Sequence, residues 1–518
     1  PLSHLAAGAR RARYECRSHT KCHPLSRMRS TQCVRCTCCA LIATTILLLT
    51  GALIAATSLL LVHRGRTSPR SSEPPQPPDA PSHNDTTTPW TPPDAPWQLK
   101  LGAAYQTKTA GEWAVRGTGS RSSSGSRSHS HDAVALPALR GGTTDDNAAL
   151  GAYLHYLATA EPACASVGTG RQCERLDVSG GLVVLVRDKQ GAPMPGRPVR
   201  WIDPRTGRVA WQGSTYGDGR APFYPRLVVP GAGAPLDGWA VETYGRYEWA
   251  VEVSHALSSS ARTTVRWAPR SAAEQSVMDV VLPISLKVPA AVPLDVAFVI
   301  DATGSMSHEI ARVQQTLLAV TAQLRQTSGR PLDLRFGAVV YRDRGDEFVT
   351  KLHPFTRDAP AFDRQLRAIK ACCGGDEPES LNEALVMTIG KLEWRPAAAA
   401  VAFLIADAPP HMDYAEPYTY AHAALAALHR GVRVHTVAAS GLDKGRGTLI
   451  FRQIAQLTQG RFIFVEYSSA AATAASHHVR GPVESNNLDA IILKELRSEV
   501  ELWANARPET SAPAVPLV

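Results

Sequence analysis

The sequence predicts a doubly wound α/β domain with a mainly parallel, Rossmann-like sheet, preceded by a small β-sandwich and an N-terminal transmembrane helix. Three observations support this fold class. Apolar, strand-like runs alternate with helical patterns over residues 288–506, which is typical of α/β folds. Short strand-like runs separated by turns fill residues 176–287. Residues 38–62 form an uncharged apolar run of 25 residues.

The first segment, residues 1–37, is basic and rich in cysteine. The whole chain has a net charge of +9. This segment holds eight Lys or Arg residues against the single acid Glu15, so the remaining residues carry only +2. A nucleic-acid-binding protein carries its basic excess on a folded domain. We therefore expect a cytoplasmic tail in front of a membrane segment and no nucleic-acid partner.

The apolar run at 38–62 is long enough to cross roughly 30 Å of hydrocarbon as one helix. The alternative is a cleaved signal peptide, whose apolar core is shorter, about 7–15 residues. We predict an uncleaved anchor that contacts the membrane through these residues. The longer basic tail before the run favours a cytoplasmic N-terminus. The expected protein is single-pass, with its C-terminal part extracytoplasmic, either in the periplasm or on the cell surface.

Residues 63–140 are rich in Pro, Ser and Thr, which predicts a linker that holds the following domains off the bilayer. Residues 141–175 combine a short helical pattern with a loop enclosed by Cys164 and Cys173. A disulfide between these two cysteines is plausible outside the cytoplasm.

Residues 176–287 predict a β-sandwich of seven short strands: GLVVLVRD, PVRWIDP, RVAWQGS, WAVETYG, YEWAVEVS, RTTVRWA and MDVVLPI. The part from Leu182 to Phe223 resembles the carboxypeptidase-regulatory or Cna-B type of sandwich. That resemblance implies a stalk or spacer.

The α/β region, residues 288–506, begins with LDVAFVID, a continuous apolar run typical of a strand covered on both faces. Further strands are predicted at LRFGAVVY, AVAFLIAD, VRVHTVAA and RFIFVEY, with helices between most of them and a final helix at 487–503. Folds of this kind bind ligands at the carboxyl ends of the strands. Residues 507–518 are expected to be a disordered tail.

Two of these strand ends carry oxygen ligands. Asp301, Thr303 and Ser305 follow the first strand, and Asp407 ends a later one. Carboxylate and hydroxyl oxygens suit hard cations, so we expect Mg²⁺, or alternatively Mn²⁺ or Ca²⁺. The competing interpretation is that Asp301 and Ser305 only cap the next helix.

Together, these motifs resemble the von Willebrand factor type A (VWA) domain and its metal-ion-dependent adhesion site, over roughly residues 291–505. The motif is D-x-[ST]-x-S, followed by a Thr loop and a later Asp. The resemblance implies that Asp301, Thr303, Ser305 and Asp407 hold the ion, directly or through water. It also implies that a carboxylate from a partner protein completes the coordination.

The middle loop departs from the motif, because residues 374–380 read GGDEPES and contain no Thr. This loop is similar to a variant in a subgroup of bacterial and slime-mould kinase-linked members, which also have a segment like YRDRGDEF at 341–348. Asp376, Glu379 or Ser380 can supply the third contact. The predicted metal set is therefore Asp301, Thr303, Ser305, Asp376, Ser380 and Asp407. An extra carboxylate here would weaken the attraction for an acidic partner.

The sequence does not favour an enzyme with a small-molecule substrate. Thr303 stands where a D-x-D phosphatase-type motif needs its second Asp, and Arg312 stands where a zinc protease helix needs its second His. We therefore predict a metal-dependent protein-binding module of the adhesion type. The alternatives are an envelope assembly or chaperone-type factor that works with an AAA+ ATPase, and a structural stalk with an inactive site.

Overall fold

The computed structural model describes residues 138–160, 164, 172–229, 247–256, 259–267, 271–285, 290–327, 331–442, 446–480 and 483–504. All of them belong to one compact unit, residues 86–518. The predicted tail at 1–37, the predicted membrane helix at 38–62, the strand-like run at 239–245 and the tail at 507–518 lie outside these ranges. Within the ranges, no helix is both long enough and apolar enough to cross a bilayer.

The described part starts with one strand and one helix, followed by the strands of the sandwich. These elements are β1 (Arg140–Thr144), α1 (Leu150–Ala160), β2 (Leu182–Arg187), β3 (Pro198–Ile202), β4 (Val209–Ser214), β5 (Arg220–Phe223), β6 (Tyr247–Ala256), β7 (Ser259–Trp267) and β8 (Ser276–Val281). Strands β2–β8 form a three-stranded sheet, ordered β5-β2-β8, and a four-stranded sheet, ordered β4-β3-β6-β7. The rings of Trp201, Trp249 and Phe223 are fully buried between them.

Strands and helices then alternate to the end of the described chain. The strands are β9 (Val292–Asp301), β10 (Leu332–Tyr341), β11 (Thr350–Thr356), β12 (Ala399–Ala406), β13 (Val432–Ala438), β14 (Phe462–Val465) and β15 (Glu484–Asn487). The helices are α2 (Ile310–Thr327), α3 (Ala359–Arg367), α4 (Leu381–Lys391), α5 (Tyr420–Arg430), α6 (Gly447–Leu457), α7 (Ala470–Ser476) and α8 (Leu488–Ala504).

These strands form an eight-stranded sheet in the order β11-β10-β9-β12-β13-β14-β1-β15. Five consecutive strands, β10, β9, β12, β13 and β14, are parallel, whereas β11, β1 and β15 pair antiparallel. The mainly parallel α/β sheet is therefore confirmed. Helices cover both faces: Phe298 of β9 belongs to a buried cluster with residues of α2, α3 and α8, and its neighbour Val299 belongs to a second cluster with residues of α4, α5 and α6. Burial on both sides explains the continuous apolar run in β9.

Strand β1 lies in this large sheet, between β14 and β15. The sequence-based division instead ended the linker at residue 140 and set 141–175 apart as a helix and loop. The sequence pattern does not predict a strand at the RGGTT segment, because glycine has no side chain to pack and has a low strand propensity. It becomes a strand because it hydrogen-bonds to neighbours on both sides. Cys164 and Cys173, in the segment that follows, are joined by a disulfide.

The sandwich packs directly on helix α5. The ring of Trp211 in β4 meets the ring of His429 edge-on, with centroids 5.4 Å apart. Gly213 approaches so closely that an added Cβ would lie 2.8 Å from the backbone oxygen of His429. One buried apolar cluster runs from the sandwich into the α/β domain, so the two regions share a core.

Candidate metal centre

The loops after β9 and β12 meet at the carboxyl edge of the sheet. In the parallel register, Ile300 of β9 faces Ile405 of β12, which brings the two following loops side by side. Asp301 ends β9 and is fully buried. A turn of 3₁₀ helix, Gly304–His308, carries Ser305 beside it. The fold therefore places the two strand ends of the predicted site next to each other.

Four of the predicted ligands lie in one hydrogen-bonded group. The backbone N–H and the hydroxyl of Thr303 donate to Asp301 Oδ1 at 2.9 and 2.7 Å. The hydroxyl of Ser305 donates to Asp407 Oδ1 at 3.0 Å and lies 3.1 Å from Thr303 Oγ1. The helix-cap interpretation fits Ser305 less well, because its hydroxyl donates to the carboxylate of Asp407. The hydroxyls instead face the carboxylates.

The electrostatics of this group are unfavourable without a cation. Burial, together with the nearby charge of Asp407, raises the pKa of Asp301 to about 7. Hydrogen bonds from Thr303 and from the hydroxyl of Tyr341, 3.3 Å from Asp301 Oδ2, only partly offset this. A divalent cation bound between the carboxylates would remove their repulsion and satisfy their charge.

A third carboxylate, that of Glu379, reaches the same place. Glu379 is only 3% exposed, and its Oε2 has no hydrogen-bond partner among the described residues. Gly374, at φ 70°, lies between Glu379 and Thr303. A Cβ added there would be 2.7 Å from Glu379 Oε1 and 3.1 Å from Thr303 Cβ. Burial, followed by the charges of Asp301, Asp343, Asp407 and Asp346, raises the pKa of Glu379 to about 9.

Backbone hydrogen bonds hold the Glu379 loop between the other two loops. On one side, Gly304 N donates to Cys373 O at 2.8 Å, and Cys372 N donates to Ala302 O at 3.0 Å. On the other side, Glu379 N donates to Pro409 O at 3.0 Å, and its own carbonyl accepts from His411 N at 3.0 Å. The position of Glu379 is thus fixed by contacts to both metal-site loops.

The two other predicted ligands from this loop lie elsewhere. Ser380 donates its hydroxyl to Asp343 Oδ1 at 2.8 Å. The exposed Asp376 groups with Asp343 and His411, and ligand atoms of these three residues lie within 4.8 Å of one another. The structure therefore brings Asp301, Thr303, Ser305 and Asp407 together as predicted, and adds Glu379 rather than Asp376 or Ser380. The loop sequence left all three open, because it does not reveal which side chain faces inward.

The assembled donors suit a hard divalent cation. Carboxylates of Asp301, Asp407 and Glu379 and hydroxyls of Thr303 and Ser305 are all oxygen ligands, as Mg²⁺, Mn²⁺ and Ca²⁺ prefer. The unpartnered Glu379 Oε2 is a further buried lone pair that a cation would satisfy. The residues present therefore fit a divalent metal.

The chain is similar to one protein family and to one curated protein. Residues 295–466 match the family model described as von Willebrand factor A domain. The chain is 31% identical over 124 residues to alpha-protein kinase vwkA of Dictyostelium discoideum, a match that covers 23% of this chain and 19% of that protein. The chain therefore spans only about a fifth of the relative's length.

Similar solved structures include BatB from Bacteroides thetaiotaomicron, at 16% identity and a TM-score of 0.27, covering 36% of this chain and 97% of that chain. Proximal thread matrix protein 1 from the mussel byssus, with a zinc-occupied MIDAS motif, is 16% identical with a TM-score of 0.27, covering 41% of this chain and 48% of that chain. The similarity to the von Willebrand factor A domain therefore covers residues 295–466, about a third of the chain.

Proposed function

We propose that this chain binds another protein through a divalent cation held by Asp301, Ser305 and Asp407, with Glu379 as the third carboxylate. The observation that carries the proposal is the contact of the Ser305 hydroxyl with Asp407 Oδ1 at 3.0 Å, beside the buried Asp301. It supports a single metal position at the edge of the sheet. Mg²⁺ is the ion we expect, since every donor is an oxygen.

A partner side chain would complete the coordination shell, as in adhesion sites of this type. The three carboxylates at this position neutralise more than the charge of one divalent ion. They therefore reduce its attraction for a carboxylate from the partner. We propose that the partner still supplies an oxygen ligand, and that its affinity depends on how far Glu379 shields the ion.

We further propose that the site binds without catalysing a reaction. Beside Asp301, the donors are two hydroxyls already engaged with carboxylates. Thr303 occupies the position at which an aspartyl phosphatase carries its acid.

Binding is tested with the immobilised full chain, incubated with proteins of the source cells in Mg²⁺ or in EDTA. We expect wild type to retain a defined set of proteins that EDTA releases, and Asp301→Ala to retain none of them. Asp279→Ala is the matched control, because it removes an exposed carboxylate in the sandwich, paired with Arg187. Capture of the same proteins by Asp301→Ala in EDTA would rule out the metal-dependent function. If EDTA releases none of the proteins that wild type retains, the metal does not mediate their binding. That result would favour a structural stalk with an inactive site.

A further inference from the structure

We propose that Asp343, Asp376 and His411 form a second metal site, for Zn²⁺, separate from the group around Asp301. Asp343 follows β10, Asp376 lies in the loop before α4, and His411 follows β12. The proposal goes beyond the protein-binding function and does not depend on it.

The first line of support is the unsatisfied ring of His411. This side chain is 4% exposed, and its Nε2 lies 3.5 Å from Asp343 Oδ2. Among the described residues, Nε2 has no hydrogen-bond partner. A buried polar atom left without a partner is costly. One ligand atom from each of His411, Asp343 and Asp376 lies within 4.8 Å of the others, so a cation between them would use the free nitrogen.

The second line of support is the way in which the ligands are held. His411 Nδ1 lies 2.8 Å from Asp413 Oδ1, and the ring of Tyr414 stacks on the imidazole at 3.9 Å. A carboxylate on one imidazole nitrogen commonly orients the other toward a metal. Asp343 in turn accepts hydrogen bonds from Ser380 at 2.8 Å and from Tyr414 at 3.0 Å. Two buried ligands are thus fixed, while the exposed Asp376 can close over the ion.

The donor set selects Zn²⁺ over Mg²⁺. Imidazole nitrogen with two carboxylate oxygens suits Zn²⁺, which takes three protein ligands and leaves one position open. Mg²⁺ prefers oxygen ligands alone, and the side chains around Asp301 offer only oxygen. The competing interpretation is a metal-free ion pair between His411 and Asp343, which gives Asp376 no role.

The test measures Zn²⁺ retained by the metal-stripped full chain after dialysis. Cysteines in residues 1–39 can also bind zinc, so the readout is the difference between each variant and wild type. We expect His411→Gln and Asp376→Asn each to lose one Zn²⁺ per chain. The Asp301→Asn/Ser305→Ala double variant should keep the Zn²⁺ that depends on His411. Substituted Co²⁺ should show visible absorption bands that disappear in His411→Gln.

Two controls make the result specific. His155→Gln removes an exposed imidazole and should retain as much Zn²⁺ as wild type. Asp413→Asn should weaken Zn²⁺ binding by about 10–100-fold, because it frees the imidazole to rotate. Metal-free melting curves verify that each variant is folded, and Asp376→Asn, at an exposed position, guards against loss of folding in the buried ones. Equal Zn²⁺ retention by wild type, His411→Gln and Asp376→Asn would overturn the proposal and leave the ion pair.

The two metal proposals fail separately. If the second site is wrong, His411→Gln still shows stabilisation by Mg²⁺, and the Zn²⁺ difference is zero. If the first site is wrong, the double variant shows the same Mg²⁺ response as wild type, while the loss of Zn²⁺ in His411→Gln persists.

Discussion

The hydroxyl of Ser305 donates to the carboxylate of Asp407 across 3.0 Å, although the two residues are 102 positions apart in the sequence. This contact joins the loops after two neighbouring parallel strands, β9 and β12. Because Asp301 and Glu379 approach the same point, this edge of the sheet holds three carboxylates that raise one another's pKa.

Asp301→Asn should stabilise the metal-free protein and abolish its response to Mg²⁺. Asn keeps an oxygen that accepts the hydrogen bonds from Thr303. It removes the buried carboxyl group of Asp301, whose pKa burial raises to about 7. At pH 8 we expect a gain on the order of 2 kcal/mol in the free energy of unfolding. Wild type should gain about 2.7 kcal/mol when Mg²⁺ is in hundredfold excess over its Kd. Thermal melts with and without Mg²⁺ measure both quantities.

Ser305→Ala provides the comparison, because it removes a ligand without removing charge. Its metal-free melting temperature should lie below that of Asp301→Asn, and its Mg²⁺ response should be lost. A full Mg²⁺ shift in Asp301→Asn would show that the ion binds elsewhere.

Glu379→Ala should weaken Mn²⁺ binding by roughly tenfold or more, equivalent to about 1.4 kcal/mol, since Glu379 is the loop carboxylate beside Thr303. Ser380→Ala should have a smaller effect, because that hydroxyl faces Asp343. Isothermal titration with Mn²⁺ compares the two variants under the same conditions. A larger loss in Ser380→Ala would restore the assignment of Ser380 as the third ligand.

The segment before the sandwich should contribute to the stability of the α/β domain. Asp146, next to β1, forms a buried bidentate ion pair with Arg452 of α6 at 2.7 and 2.9 Å. Removing one partner of a buried pair costs about 3–5 kcal/mol. Arg452→Met should lower the urea midpoint accordingly, whereas Arg187→Met, in a more exposed pair with Asp279, should change it little.

The Asp146–Arg452 ion pair also affects which fragments of the chain are stable. A fragment that begins at residue 288 lacks β1, Asp146 and the sandwich that packs on α5. We expect it to unfold at a lower urea concentration than a fragment that begins at residue 138. Equal midpoints would show that residues 288–506 are self-sufficient, as their complete α/β sequence pattern suggests.

Two buried histidines should make the fold sensitive to acid. Burial lowers the pKa of His353 to about 4 and that of His435 well below its usual 6.5. Between about pH 6.5 and 4 the unfolded chain binds these protons and the native state does not. Their contribution to stability is therefore complete above pH 6.5 and is lost as the pH falls through that window.

Urea unfolding at several pH values tests this prediction by comparing how the free energy of unfolding changes with pH in wild type and in two variants. His353→Leu should flatten the loss of stability between pH 6.5 and 4 relative to wild type, because it has no imidazole to protonate. His155→Gln, which alters an exposed histidine, should follow the wild-type slope. Parallel slopes for wild type and His353→Leu would contradict the assignment.

The topology proposed for residues 38–62 concerns a part of the chain outside the described ranges. If the apolar run anchors the chain with the C-terminal part outside, as we propose, protease added to intact cells should digest that part. Full protection, with the cell surface shown to be accessible to the protease, would reverse the orientation. Digestion that leaves no membrane-bound remnant would favour a cleaved signal peptide.

Much of this protein follows from local sequence alone. The period of apolar residues identifies β9, β10, β12, β13 and the helices α2, α4 and α5, because a strand or helix side buried in a core must be apolar at regular spacing. The strand ends also locate Asp301, Thr303, Ser305 and Asp407, since parallel strands bring their carboxyl ends to one edge.

Other features exist only through contacts between distant segments. The glycine-rich β1 becomes a strand because β14 and β15 flank it. Glu379, rather than Asp376 or Ser380, faces the proposed metal position because backbone hydrogen bonds from its loop to Gly304, Pro409 and His411 set the rotation of that loop. The role proposed for His411 also depends on the tertiary structure, because the loop after β12 places its ring beside Asp343. A linear pattern records which side chains are present, but the direction in which a loop side chain points is set by what packs around it.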